Sequence, residues 1–234
     1  MYLSGGMIEV RFLRRPNRFT AVVERNGVEF SAHVANSGRL GELLIRENRM
    51  FVSPAASPTG RKTLFDLALV EIDGVLVSAD SRLPNGIVAE AAAAGLVPEL
   101  AGYDHIRREV TVGGSRIDLR LDGPEGSCYV ETKSVTLVVD GIARFPDART
   151  ERGRKHVLEL RNLALSGSRA VVFFVVQRPD AVAFAVDVES DPALFAAVAE
   201  AMTSGVEVYA YSCEVDMHEI RLSRRLPVVA PVIA

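Results

Sequence analysis

Two hydrophobic periods divide this chain. Over residues 9–83, apolar and polar positions alternate in short runs broken by turn residues. A period of two places successive side chains on opposite faces of a strand. Residues 19–24 and 28–34 alternate around Arg25-Asn26-Gly27, a strong hairpin signal. Residues 49–52, 63–72 and 75–78 complete about five strands, the last pair turning at Asp73-Gly74. Residues 38–44 read as a short helix between the 28–34 and 49–52 strands, and the Ser-, Pro- and Gly-rich segment 53–62 reads as a loop. This order suits an oligonucleotide-binding (OB) barrel.

From Asn85 onward, helix and strand periods alternate. Asn85 is a candidate N-cap for a helix over about 86–94. A strand over 106–112 leads to Gly113-Gly114. A helix over about 151–165, capped by Thr150 or Asp147, has Val157, Leu160, Leu163 and Ala164 on its apolar stripe. Residues 170–176 form a continuous apolar run, as in a sheet covered on both sides. A helix over 191–202, with Asp191 as cap and Pro192 at its first position, precedes a final strand over 206–211. The expected fold is mixed: a barrel domain over 1–83, then an α/β domain with a mixed sheet over 84–234.

The chemistry concentrates in residues 115–134, SRIDLRLDGPEGSCYVETKS, which read as two antiparallel strands joined by a polar turn. Ile117, Leu119 and Leu121 then share one face and Asp118 the other. With a symmetric turn, Leu121 faces Cys128 and Asp118 faces Glu131, with Lys133 beside them. Two carboxylates that close repel, and a divalent cation relieves the repulsion. Mg²⁺ takes one or two carboxylates and keeps several waters. An ammonium group beside such an ion can position its water or neutralise a phosphate. The local pattern leaves a second reading open, an exposed hairpin face with an ordinary Glu–Lys pair. Glu90 is equally open: solvent-facing, or a third carboxylate aimed at the hairpin.

Charge and composition refine this picture. The net charge is −3, divided as +2 through Leu83 and −5 beyond it. Arg18, Arg39, Arg61 and Lys62 in the first part, with Arg149, Arg152 and Lys155 near the start of the 151–165 helix, are candidate phosphate contacts. Cations in a helix's first turn oppose its dipole, which leaves two readings, a nearby anion or a solvated surface paired with the adjacent Glu151. Phe12 and Phe19 are candidate base-stacking residues. The two cysteines, Cys128 and Cys213, form no disulfide framework, and the first ten residues lack a basic, then apolar, secretion signal. A cytoplasmic location is the expectation.

The segments RRPNRFTAVVERNG, AHVANSGRLGELL, SRIDLRL, VETKSVTL, ARFPDARTERGRKHVLEL and SGVEVYAY resemble, in order and spacing, the sugar fermentation stimulation protein A (SfsA) family. The resemblance covers nearly the whole chain. It implies an OB-fold followed by a domain of PD-(D/E)XK nuclease-like type, and a DNA-binding protein. It carries the nuclease-like pattern onto Asp118, Glu131 and Lys133, with Glu90 as the helix carboxylate, and so favours a metal pocket holding Mg or Mn on Asp118 and Glu131. Two departures stand out: Thr132, where the family often has Val, and Asp80-Ser81-Arg82, where it often has Asn-Thr. Neither is expected to touch a proposed ligand. The implied function is sequence-nonspecific DNA binding, with RNA left open, and a metal-dependent phosphodiesterase site. The alternative is a non-catalytic DNA-binding regulator of sugar (maltose) metabolism.

Overall fold

The computed structural model describes residues 1–3, 5–57 and 59–229. Six strands form the first unit: β1 (Ile8–Asn17), β2 (Thr20–Arg25), β3 (Val28–His33), β4 (Arg49–Pro54), β5 (Phe65–Ile72) and β6 (Val75–Ser78). Their order is β3-β2-β1-β4-β5-β6, and a parallel β3–β5 pairing closes the first five into a barrel. Two register shifts bend β1, so that it pairs with both β2 and β4. At the β2–β3 hairpin, Asn26 and Gly27 both take positive φ (52° and 79°), the primed turn that matches strand twist. Val10, Phe12, Ala21, Val23, Ala32, Met50, Val52, Leu67 and Val70 fill the barrel. Phe12 is thus a core residue, not a stacking surface.

The helix expected over 38–44 is absent. The segment is a series of turns, with Leu40 at φ 51°. Its backbone is held from outside: the Leu40 N–H donates to Asp147 Oδ2 (3.0 Å), and Arg15 donates to the carbonyls of Gly38 and Arg39. Leu40 and Leu43 plug the barrel instead of lining a helix face.

The second unit is built on a six-stranded sheet, order β15-β14-β12-β9-β8-β7. Its strands are β7 (His105–Val112), β8 (Ser115–Gly123), β9 (Gly126–Val135), β12 (Arg169–Val176), β14 (Glu207–Val215) and β15 (Ile220–Leu226). β12 runs parallel to both β9 and β14. Val171, Phe173 and Val175 pack beneath α1 (Leu83–Ala93), whereas Ala170, Val172, Phe174 and Val176 pack beneath α2 (Glu151–Leu165) and α3 (Pro192–Thr203). Covering both faces explains the unbroken apolar run in β12, and each such buried Val or Phe contributes about 1.5–3 kcal/mol. A smaller sheet joins β10 (Val138–Val139), β11 (Ile142–Phe145), β13 (Ala183–Val186) and β16 (Val228–Val229).

Two expectations change. α1 begins at Leu83 rather than after Asn85, because Pro84 suits a first helical turn, and the Asn85 side chain faces Asp118 and Arg108 instead of capping. β14 is not the last strand. β15 follows it as an edge strand whose outward Arg221 and Arg225 masked its alternation. After β15, β16 pairs in parallel with β13, and residues 230–234 lie outside the described residues.

Met1 and Leu3 join the core beneath α1, and the Met1 amine donates to the Ile220 carbonyl (2.9 Å). No helix among the described residues is long and apolar enough to cross a membrane.

Candidate active site and nucleic-acid interface

The site forms where β8 parts from β9. The ladder between them pairs Leu121 with Cys128, as expected, and its last pair is Leu119 with Val130. Beyond that point the Thr132 N–H has no β8 carbonyl partner, and the Asp118 carboxylate takes it. Asp118 Oδ2 accepts from Thr132 N (2.8 Å) and Thr132 Oγ1 (2.7 Å). Asn85, at the start of α1, donates to the Asp118 carbonyl (3.2 Å). Thr132 therefore does touch a proposed ligand, contrary to expectation, and its hydroxyl helps to hold the Asp118 side chain. Ile117 joins the core beneath α2 while Leu119 and Leu121 lie beneath α1, so the expected single apolar face is broken at Asp118.

Glu131 is 2% exposed. Its Oε1 accepts from Lys133 Nζ (2.6 Å) and meets His156 Nδ1, while Oε2 is buried without a hydrogen-bond partner. Asp118 and Glu131 are driven apart in acidity. Burial, then the charge of Glu131, pushes the Asp118 carboxyl above its ordinary value against the Thr132 bonds. Burial opposes ionisation of Glu131 too, but His156 and Lys133 outweigh it and hold that carboxyl below the usual range. Asp118, Glu131 and Lys133 are thus brought together. Glu90 is not among them: it pairs with the Met1 amine (2.9 Å).

His156 carries a role that the charge pattern obscured, sitting among Arg152, Arg154 and Lys155. Helical spacing is the signal for it. Gly153, His156, Val157 and Leu160 form the buried stripe of α2, a spacing of three and four residues. Thr150 caps this helix by accepting from Gly153 N (3.0 Å), and Asp191 accepts from Thr150 N (2.9 Å) while capping α3. Asp147, the other candidate cap, reaches the barrel at Leu40 instead.

An open groove of about 560 Å³ lies at this end of α2, lined by Ser115, Arg116, Arg152, Lys155 and His156 among others. Lys155 Nζ donates to the Gly114 carbonyl (2.9 Å). Arg149 is exposed nearby. On the barrel, Arg18, Arg39 and Lys62 are exposed, whereas the Arg61 guanidinium is committed to Asp66. Asp80 and Arg82, at the second departure, join the same network, with Arg82 bridging Asp66 and Asp80.

The two units meet beside this site. Gln177 Nε2, at the end of β12, lies 2.9 Å from Ser134 Oγ and 3.2 Å from the carbonyls of Ser78 and Asp80. Thr136 Oγ1 donates to Glu42 Oε1 (3.0 Å). Burial pushes the Glu42 carboxyl up.

An OB-type barrel followed by a mixed-sheet α/β unit, with an acidic pair at a break in the sheet, defines the class of protein. Two family profiles match, the SfsA N-terminal OB domain over residues 13–79 and the sugar fermentation stimulation protein RE domain over residues 82–219. The chain belongs to the SfsA family. A sugar fermentation stimulation protein homolog of Chloroflexus aurantiacus is 44% identical, over 99% of this chain and 90% of its own. One from a Geobacter species is 45% identical, over 98% of this chain and all of its own. The solved structure of Pyrococcus furiosus SfsA in complex with Ca²⁺ superposes with a TM-score of 0.90 at 32% identity, covering 98% of both chains.

Proposed function

We propose that this protein binds DNA without sequence preference and cleaves phosphodiesters with a divalent metal held by Asp118 and Glu131. The single observation carrying this reading is the orphaned Glu131 Oε2, buried beside a second desolvated carboxylate. An oxygen acceptor without a hydrogen-bond partner in such a place costs about 1–3 kcal/mol, more when charged. A cation offsets that cost. Mg²⁺ or Mn²⁺ fits a donor set of two carboxylates completed by water. The Ca²⁺ described for Pyrococcus furiosus SfsA supports a hard divalent ion in this family.

The ion, when bound, supplies Lewis acidity toward a phosphoryl oxygen and an acidified water. The chain supplies the rest. His156 and Lys133 share Glu131 Oε1, which leaves Oε2 for the metal. Thr132 orients Asp118. Lys133 Nζ places positive charge at the carboxylates, where a phosphate's charge is neutralised. Arg116, Arg152 and Lys155 along the groove contact flanking phosphates.

The test is nicking of supercoiled DNA with Mg²⁺ or Mn²⁺. Lys133→Ala is expected to lower the rate at least about 10²-fold while DNA affinity persists; equal cleavage by the variant removes the proposal. A second reading, a DNA-binding regulator without catalysis, is favoured by one observation: Glu90 pairs with the Met1 amine rather than facing the acidic pair. Salt-sensitive DNA binding without cleavage under either metal decides for it.

A further inference from the structure

Among the ten phenylalanines, Phe19 alone is exposed, at 47%. It lies in the two-residue turn between β1 and β2. The turn is rigid at this residue: the Phe19 N–H donates to Asn17 Oδ1 (2.9 Å), and its carbonyl accepts from Val34 N (2.9 Å). The Phe19 ring stands beside the His33 ring on β3, centroids 6.3 Å apart and planes 23° from parallel. A stacked aromatic pair with nearly parallel planes, its Phe19 ring exposed, on a pinned backbone is a shelf that loses little entropy when a flat ligand lands on it.

The surroundings indicate what lands there. Arg15 Nη2 donates to the Arg18 carbonyl (2.6 Å) and Nη1 to the Arg39 carbonyl (2.5 Å), so one half-buried arginine draws both cation-bearing turns together. His33 pairs in register with Asp66 across the barrel's closing seam, and Asp66 anchors Arg61, next to the exposed Lys62. The shelf therefore spans the β1–β2 turn and the end of β3, beside Arg18 on one side and toward the Lys62 loop across β5 on the other. In OB-folds, strands two and three with the loops after strands one and four receive oligonucleotides or oligosaccharides. Cations at both ends favour the ligand that carries phosphates. A base inside a duplex keeps both faces stacked and cannot use the shelf.

We propose that Phe19 and His33 form a stacking subsite for an unpaired base, so that the barrel engages single-stranded nucleic acid. This rests on the nucleic-acid reading above and adds strandedness to it. The experiment is fluorescence anisotropy with a labelled oligothymidylate and a duplex of equal length, at one salt concentration. Phe19→Ala is expected to weaken the single strand at least about five-fold, the loss of one stacked base, with duplex binding unchanged and Phe19→Trp restoring the affinity. No loss, an equal loss on both ligands, or displacement of the oligonucleotide by a maltooligosaccharide overturns the subsite. Failure of the unaltered protein to bind either nucleic acid overturns the DNA-binding reading itself, an outcome distinct from a selective result in the variant.

Discussion

Asp118 and Glu131 show how neighbours set the chemistry of identical functional groups. Both carboxyls are desolvated, yet one is pushed up and the other held down: Glu131 bonds Lys133 and His156 directly, whereas at Asp118 burial and the charge of Glu131 outweigh the Thr132 bonds and the more distant Lys133 charge. Their effects on stability have opposite signs. A raised carboxyl binds more protons in the folded state than unfolded, so its contribution falls as pH rises from the ordinary carboxylate range through the folded value. A lowered carboxyl contributes fully above its unfolded value and loses that contribution as pH falls toward the folded one. At neutral pH and without metal, Asp118→Asn is therefore expected to raise the melting temperature by removing a buried like charge. Glu131→Gln is expected to cost about 3 kcal/mol, since it leaves the Lys133 ammonium without its counter-ion. Thermal unfolding of the two variants checks both signs, and matching shifts would sink the argument.

At the scale of elements, the turn segment 38–44 joins the two units through contacts that a helix could not make. Gly38 sits against Asp147, and a Cβ there would lie 2.6 Å from Asp147 Oδ2, the atom that accepts from Leu40 N. Asp147 is short and bonded, so it cannot swing aside cheaply. Gly38→Ala is expected to destabilise by about 1–3 kcal/mol through overpacking. Denaturant unfolding measures this, and an unchanged midpoint would show that the joint yields. The helix expected here rested on local composition. Arg15 and Asp147 overrode it from 23 and 107 residues away, distances that no window of sequence covers.

For the whole molecule, the joint sets the cations of the two units side by side. The Arg39 loop is bonded to Asp147, two residues before Arg149, and α2 then carries Arg152 and Lys155 to the groove. A net charge of −3 conceals this local basic surface. Binding through it releases counter-ions, so affinity is expected to fall linearly with salt on logarithmic axes. Replacing Arg152 and Lys155 together by Ala should reduce that slope by about 2. Titrations at several salt concentrations measure it; an unaltered slope would place the nucleic acid elsewhere.

The sequence by itself determined the barrel's hairpins at Asn26-Gly27 and Asp73-Gly74, the buried β12, the cap of α3, and the acidic hairpin. Each is written in periods and turns spanning a few residues, where local sterics and burial decide. Only tertiary structure decided that Thr132 grips Asp118, that His156 shares Glu131 with Lys133, that Glu90 belongs to the Met1 amine, and that Phe12 is buried while Phe19 is exposed. Those outcomes depend on where β8 leaves β9 and on which face of α2 meets the sheet. Both are fixed by packing between segments distant in the chain, which no local pattern encodes.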